Sequence, residues 1–178
     1  MNRPPHDFIR IPLIELRSFA ANCLKAAGLR PDHADQLGKL LSNSDLCGVR
    51  SHGTRQVGSY CPMLRDGLVN PDPELTAFKE TANAILVSGD GGLIVIMDLG
   101  HFANPDEVRQ SNDNMVRGVR ETTKPVIGYP EATLPGTPEH RNEETHTKEG
   151  VPIGNEELEI LRNVASEWDV ALPEALCP

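Results

Sequence analysis

A histidine lies among side chains that together suit a small organic acid. In the stretch DLCGVRSHGTRQVGSY, Ser51 precedes His52, and Arg55 and Tyr60 follow it. Ser51 and Tyr60 supply hydroxyls, and Arg55 supplies a planar guanidinium that matches a carboxylate. A histidine titrates near neutral pH and can deliver the proton that a ketone needs when hydride reduces it, typically contributing about 10² to 10⁴ in rate. The pattern predicts a site for a small oxo acid or hydroxy acid.

The same residue types have plainer explanations. Helix N-termini collect Ser, His and Gly for capping and turn reasons alone, and a lone histidine there is often a surface residue. Metal ligation through His101, Asp106 and Glu107, or through His140 and His146, is disfavoured because neither spacing fits a common ligand pattern. We therefore predict no metal site.

Two helices precede the histidine. Apolar residues at spacings of three and four predict a first helix from about residue 12 to 27, with Gly28 as its stop. Pro31 opens a second helix, which ends before Gly48. The short connection between them predicts a helical hairpin.

A third helix is predicted to carry the histidine itself. Ser51 can cap it, which places His52 and Gly53 in its first turn. Gly67 is the C-terminal stop, and Pro62 is expected to kink or divide the helix.

The rest of the chain mixes strands and helices. Apolar runs predict strands at 84–88 and 94–98, joined by a glycine-rich turn, and the stretch NPDEVRQSNDNMVRGVRE predicts a helix behind a proline. Residues 122–154 carry many prolines and glycines and are predicted to be extended or loop-like, while 155–169 is predicted to be helical. The fold class is therefore α+β and mainly helical, with a short β-hairpin.

The composition and charge of the chain exclude some classes of binding partner. The chain has 178 residues with 17 basic and 26 acidic side chains, a formal charge of −9, so nucleic acid is an unfavourable partner. No apolar run reaches the length of a membrane span and no secretory signal is evident, which predicts a cytoplasmic protein that binds no membrane. The four cysteines are dispersed, which predicts reduced thiols.

Several motifs together resemble the malate/L-lactate dehydrogenase family of NAD(P)-dependent oxidoreductases, which is distinct from the Rossmann-type lactate dehydrogenases. They are AAGL at 26–29, DLCGVRSHG at 45–53, Tyr60, RDGLVNP at 65–71 and GDGG at 89–92. The resemblance implies that His52 is the active-site acid/base and that Ser51 and Tyr60 line the substrate pocket. Arg55 is the candidate carboxylate anchor, although many members carry that arginine one position later, where Gln56 stands here.

The resemblance also implies a domain organisation. Residues 1–93 are similar to the N-terminal segment of the family and 94–178 to its C-terminal segment, and the long central region that binds most of the dinucleotide is missing between them. The two segments are expected to form one compact domain resembling the substrate-side domain of the family. The implied cofactor is NAD or NADP, and the family's late PGE segment matches Pro135, Gly136 and Thr137 as candidate cofactor contacts.

Three functions remain open at this point. The first is a shortened dehydrogenase that transfers hydride between a nicotinamide cofactor and a small 2-hydroxy or 2-oxo acid, with impaired or no activity alone. The second is a non-catalytic interaction or regulatory module, acting as a homodimer or paired with a full-length paralogue. The third is a small-acid binding domain that uses Ser51, His52 and Tyr60 without hydride chemistry.

Overall fold

The computed structural model divides the chain into two compact units, Met1–Asp72 with Gly136–Pro178, and Pro73–Pro135. Each unit is described by itself. The structure describes residues 5–73, 76–80, 85–88, 100, 102–128 and 130–176.

The first unit is mainly helical. In chain order, its regular elements are β1 (Phe8–Ile11), α1 (Leu13–Ala26), α2 (Pro31–Leu46), α3 (Val57–Arg65), α5 (Thr137–Glu149), β4 (Val151–Gly154) and α6 (Asn155–Glu167). The predicted hairpin of α1 and α2 is confirmed. The two helices approach so closely that a Cβ on Gly38 would lie 2.9 Å from the backbone nitrogen of Ala21. The mainly helical α+β class is confirmed as well.

A two-stranded antiparallel sheet joins the start of the chain to its last third. Phe8 pairs with Gly154 and Ile11 with Val151, and both Ile11 and Val151 are fully buried. Neither strand was predicted. Each has only four residues, too short to show a period of two, and the pairing becomes visible only after the chain has folded.

One hydrophobic core holds this unit together. Its largest fully buried apolar side chains come from β1, α1, α3, β4 and α6, and they include Ile11, Leu16, Leu24, Leu161, Val57 and Val151. Helix α6 matches the predicted range, with Leu158, Leu161, Val164 and Ala165 buried along its stripe. A Cβ on Gly58 of α3 would lie 2.7 Å from a methyl of Ile160, so α3 packs tightly against α6.

The prediction for the third helix is wrong at its start. Two short 3-10 turns, Arg50–His52 and Thr54–Gln56, precede α3, and Ser51 caps no helix. His52 and Gly53 therefore lie outside the α-helix. Pro62 does not divide α3, because it lies inside the nine residues of this helix.

The loop predicted for 122–154 is also wrong in part, because α5 occupies Thr137–Glu149. Gly136 has a φ of 91°, a left-handed conformation that suits glycine, and Pro138 stands in the first turn. Apolar periodicity does not predict this helix, because it has no apolar stripe and its buried residue is the polar His146.

The second unit contains a β-hairpin and a helix. Strands β2 (Thr76–Glu80) and β3 (Ile85–Ser88) pair antiparallel, with an irregularity between Ala77 and Lys79, so β3 has a partner that was not predicted. The predicted strand 94–98 lies outside the described residues. Helix α4 (Pro105–Thr122) is confirmed, and the side chain of Asn104 caps it by accepting a hydrogen bond from the Asp106 nitrogen at 2.9 Å.

Two further predictions concern thiols and membranes. Cys23, Cys47 and Cys61 are free thiols, and burial raises the pKa of Cys23 to about 12 and that of Cys61 to about 11. Cys177 lies outside the described residues. Among those described, no helix combines the length and apolar character that a membrane crossing requires.

Candidate active site

His52 projects from the first 3-10 turn on the surface of the first unit. The Ser51 hydroxyl and His52 Nδ1 form a hydrogen bond of 2.8 Å, and both side chains are exposed. Gln56 Nε2 donates to the Ser51 carbonyl at 2.6 Å and ties this turn to the next. The contact with Ser51 orients the imidazole and leaves Nε2 for a ligand.

A buried carboxylate holds the turn that carries His52. One oxygen of Asp45, near the end of α2, accepts hydrogen bonds from the Thr54 backbone nitrogen at 2.7 Å and from its hydroxyl at 2.6 Å. Asp45 is 4% exposed and Thr54 is 1% exposed. A Cβ on Gly53 would overlap the other carboxylate oxygen of Asp45, so only glycine fits between the two turns. These contacts fix the backbone directly after His52.

The charge on this carboxylate is opposed by its surroundings. Burial raises the pKa of Asp45 to about 6, while the two hydrogen bonds from Thr54 and the nearby Arg50 guanidinium act in the opposite direction. Burial also lowers the pKa of Arg50, against the attraction of Glu157 and Asp45. At neutral pH the turn is therefore held by an ionised carboxylate.

Helix α5 closes the C-terminal end of α2. His146 Nδ1 lies 2.7 Å from the Leu46 carbonyl oxygen, and Asn142 Nδ2 donates to the Cys47 carbonyl at 3.1 Å. Side chains of α5 therefore contact carbonyls at the C-terminal end of α2, where the backbone of an α-helix supplies no N–H donor. His146 is buried, and burial lowers its pKa. Leu46 and Cys47 directly follow Asp45 in sequence, which connects α5 to the support of the His52 turn.

The structure separates the other predicted site residues into different surroundings. Arg55 faces two carboxylates of α6, Glu156 at 3.5 Å and Glu157 at 3.9 Å, so its guanidinium is already paired. Tyr60 lines an apolar cavity between α1, α2 and α3. Of the four residues, Ser51 and His52 are the pair that the structure brings into direct contact.

The candidate cofactor residues lead into α5. Space is open around Gly136, but Pro138 in the first turn has no N–H and Glu139 adds a negative charge there. Both features weaken anion binding at this helix N-terminus. Pro135, Gly136 and Thr137 stay candidate cofactor contacts that the resemblance implies.

Metal binding was also considered from the sequence. His140 is on the exposed face of α5 and His146 is buried beneath it, while His101 lies outside the described residues. In the described part of the chain, no three His, Cys, Asp or Glu side chains converge as a metal site would require.

Asp45 and Thr54 were not singled out from the sequence. A signal was present, because Ala34, Gly38, Leu41 and Asp45 recur at spacings of four, three and four and all four are buried on one side of α2. A carboxylate on the buried face of a helix requires hydrogen-bond donors. The donors come from Thr54, nine residues further on.

Sequence comparison finds similarity to one family of enzymes over the first half of the chain. A protein-family model for malate/L-lactate dehydrogenase matches residues 11–93. The malate dehydrogenase of Pyrococcus horikoshii is 32% identical over 87 residues, which cover 49% of this chain and 24% of that relative. The L-lactate dehydrogenase of Cupriavidus necator is 31% identical over 84 residues, covering 47% of this chain and 24% of the relative. The matched segments thus span about a quarter of each relative's length.

Solved structures extend the likeness to the fold of the whole chain. The malate dehydrogenase structure from Pyrococcus horikoshii matches with a TM-score of 0.80 at 14% identity, over 95% of this chain and 98% of that one. A sulfolactate dehydrogenase from Methanocaldococcus jannaschii matches with a TM-score of 0.70 at 10% identity, over 91% of this chain and 98% of that one. The chain is therefore similar in sequence to the malate/L-lactate dehydrogenases over residues 11–93 and shares the fold of these solved structures, as its motifs predicted.

Proposed function

We propose that this chain is a shortened NAD(P)-dependent dehydrogenase acting on small 2-hydroxy or 2-oxo acids, with impaired or no activity alone. The observation that carries the proposal is the Ser51–His52 contact of 2.8 Å in a turn locked by Asp45 and Thr54. An exposed imidazole that a neighbouring hydroxyl orients suits delivery of a proton to a developing alkoxide.

The proposed impairment concerns how the nicotinamide is positioned. Hydride transfer requires the nicotinamide to be held against the substrate, and such positioning supplies roughly 7 to 11 kcal/mol of the barrier. Arg55, the candidate carboxylate anchor, is paired with Glu156 and Glu157. What this chain itself contributes is a proton at His52 Nε2 and a hydroxyl at Ser51.

The proposal of missing internal sequence rests on two coverages. The structural match reaches 98% of the Pyrococcus malate dehydrogenase chain, whereas the sequence match is 24% of the relative of that name. A chain that keeps both ends of a longer family pattern would show this combination. The proposal also includes a cytoplasmic location and a substrate-side unit, Met1–Asp72 with Gly136–Pro178, to which segments 1–93 and 94–178 both contribute.

Nicotinamide fluorescence tests the proposal. Purified protein titrated into NADH and NADPH is expected to give weak or no saturable enhancement, and 2-oxo acid reduction is expected to be slow or undetectable. Any measurable activity is expected to fall by about 10² or more in His52→Gln and to remain in His140→Gln, whose histidine lies on the exposed face of α5. Tight cofactor binding with full turnover, or activity indifferent to His52→Gln, would contradict it.

A second function, the interaction module, is favoured by helix α4. This helix of 18 residues has no buried residue, and Met115 on its apolar stripe is 57% exposed. Its N-terminal part carries Asp106 and Glu107 and its C-terminal part carries Arg117 and Arg120, so two copies laid antiparallel would place opposite charges together.

Self-association through α4 has a direct test. Size-exclusion chromatography with light scattering is expected to show a dimer, because pairing two apolar stripes removes them from water. Met115→Glu is expected to shift the population toward monomer. Gln110→Glu, at an exposed position of the same helix away from the stripe, is expected to leave it unchanged. A monomer at all concentrations would remove the homodimer and leave a paralogue as the partner to seek.

A further inference from the structure

An apolar cavity lies at one end of the three N-terminal helices. Its volume is about 230 Å³, and it opens between α1, α2 and α3. Leu24, Leu29 and Leu64 form a buried floor, while Leu37, Tyr60 and Met63 form a partly exposed rim. All of these residues belong to the first unit.

The chemistry of the lining restricts what this cavity can hold. None of the described residues that line it carries a formal charge, and its surface is almost entirely apolar. A water molecule needs two to four polar partners, which such a surface does not supply. An engineered apolar cavity of about 150 Å³ stays dry and binds benzene. The larger volume here suits a benzene ring with one or two small substituents.

The cavity is chemically distinct from the candidate active site. Ser51, His52 and Arg55 are absent from its lining among the described residues, so it offers neither an imidazole nor a cation for a carboxylate. A small organic acid would lose its hydration there without compensation. Tyr60, expected from the family resemblance to line the substrate pocket, therefore lies in an environment that rejects such a substrate.

We propose that this cavity is a binding site for small uncharged aromatic molecules of the size of toluene or xylene. The ring contacts the leucine floor, and the flexible thioether of Met63 adapts the rim to substituents. Burial of apolar surface drives binding, so affinity rises with ring substitution until the volume is filled. This site is independent of hydride chemistry at His52.

Methyl NMR of the intact chain provides the test, with toluene as the probe. Saturable shifts are expected for methyls of Leu24, Leu29, Leu37 and Met63, and not for Val151 in the sheet. Benzoate, a charged ring of similar size, is expected to produce no saturable shift at these methyls. Absence of saturation with toluene, or equal binding of benzoate, would overturn the proposal.

A matched pair of variants locates the ligand. Leu37→Phe fills the cavity from its rim and is expected to weaken toluene binding at least about tenfold. Leu40→Phe makes the same substitution on α2 at a position that is 56% exposed and outside the lining, and it is expected to leave affinity within about twofold. Met63→Phe serves as the filling variant if Leu37→Phe does not fold. Equal effects of the substitutions at positions 37 and 40 would overturn the site. Methyl shifts that depend on protein concentration without toluene, and that Leu37→Phe abolishes, would also overturn it. Such shifts would mean that a second copy of the chain occupies the cavity.

Discussion

Asp45→Ala is expected to lower the free energy of unfolding by about 2 to 4 kcal/mol. The substitution leaves the Thr54 N–H and hydroxyl without their acceptor at a position that is 1% exposed. It also leaves a void beside Gly53, which packs directly against the carboxylate. Urea unfolding followed by circular dichroism measures the loss, and hydrogen exchange at Thr54 reports whether the His52 turn opens.

Asp45→Asn separates the hydrogen bonds from the charge. The amide oxygen can still accept from Thr54, so stability near pH 7 is expected to change little. The pH dependence is expected to change, because burial raises the pKa of Asp45 to about 6 from an ordinary value near 3.8. A carboxyl with a raised pKa contributes stability that is fully present below pH 4 and is lost as the pH rises through 6, up to about 3 kcal/mol.

The comparison must therefore be made across pH and not at a single value. His146 acts in the opposite direction, since a lowered pKa means that its contribution is lost as the pH falls below the ordinary histidine range. Subtracting the Asp45→Asn profile from the native profile removes the His146 contribution. A flat difference between pH 4 and pH 6 would show that Asp45 is not the titrating group.

Helix positions could be predicted wherever one face of a helix is apolar. The ranges of α1, α2, α4 and α6 agree with the periodicity because burial against a core imposes a repeat of 3.6 residues on the sequence. The family motifs carried the prediction further, to the fold and to the candidate histidine. These helices and motifs could be predicted because each depends on residues that are close together in the sequence.

Contacts distant in sequence could not be predicted in this way. Strand β1 finds its partner about 140 residues away, and α5 is buried through one polar side chain, His146, that reaches a carbonyl of α2. The His52 turn belongs with these cases. Its 3-10 geometry is set by Asp45 on a neighbouring helix and by the lack of a side chain at Gly53, and neither cause produces a periodic pattern.

The site therefore depends on support that is remote from its chemistry. Asp45 is buried, yet it fixes Gly53 and Thr54, the two residues after His52, through its hydrogen bonds to Thr54. His146 and Asn142 complete the end of α2 that carries Asp45. A chain that keeps this whole arrangement keeps an oriented histidine, whichever of the proposed functions it serves.

Gly53→Ala is expected to be the most disruptive substitution of a small residue, with a loss of about 3 kcal/mol in the free energy of unfolding. The backbone of Gly53, with a φ of −90°, is accessible to alanine, so the cost is steric and not conformational. The new Cβ would occupy the position of one carboxylate oxygen of Asp45. The other oxygen of the same carboxylate accepts two hydrogen bonds from Thr54, which hold the carboxylate in place. Relief requires the turn to move, which carries Ser51 and His52 with it.

Gly118→Ala is the matched control, because the same added methyl group meets no atom within 4 Å there. Within helix α4, alanine is favoured over glycine by roughly 0.5 to 1 kcal/mol, so this variant is expected to be as stable as the native chain or slightly more so. The histidine C2-proton resonance of His52 is expected to shift in Gly53→Ala and to stay unchanged in Gly118→Ala. A rigid Asp45 carboxylate leaves no room for the methyl group of Gly53→Ala. If this variant were as stable as the native chain and its His52 resonance did not shift, close packing against Asp45 would not be what fixes the turn.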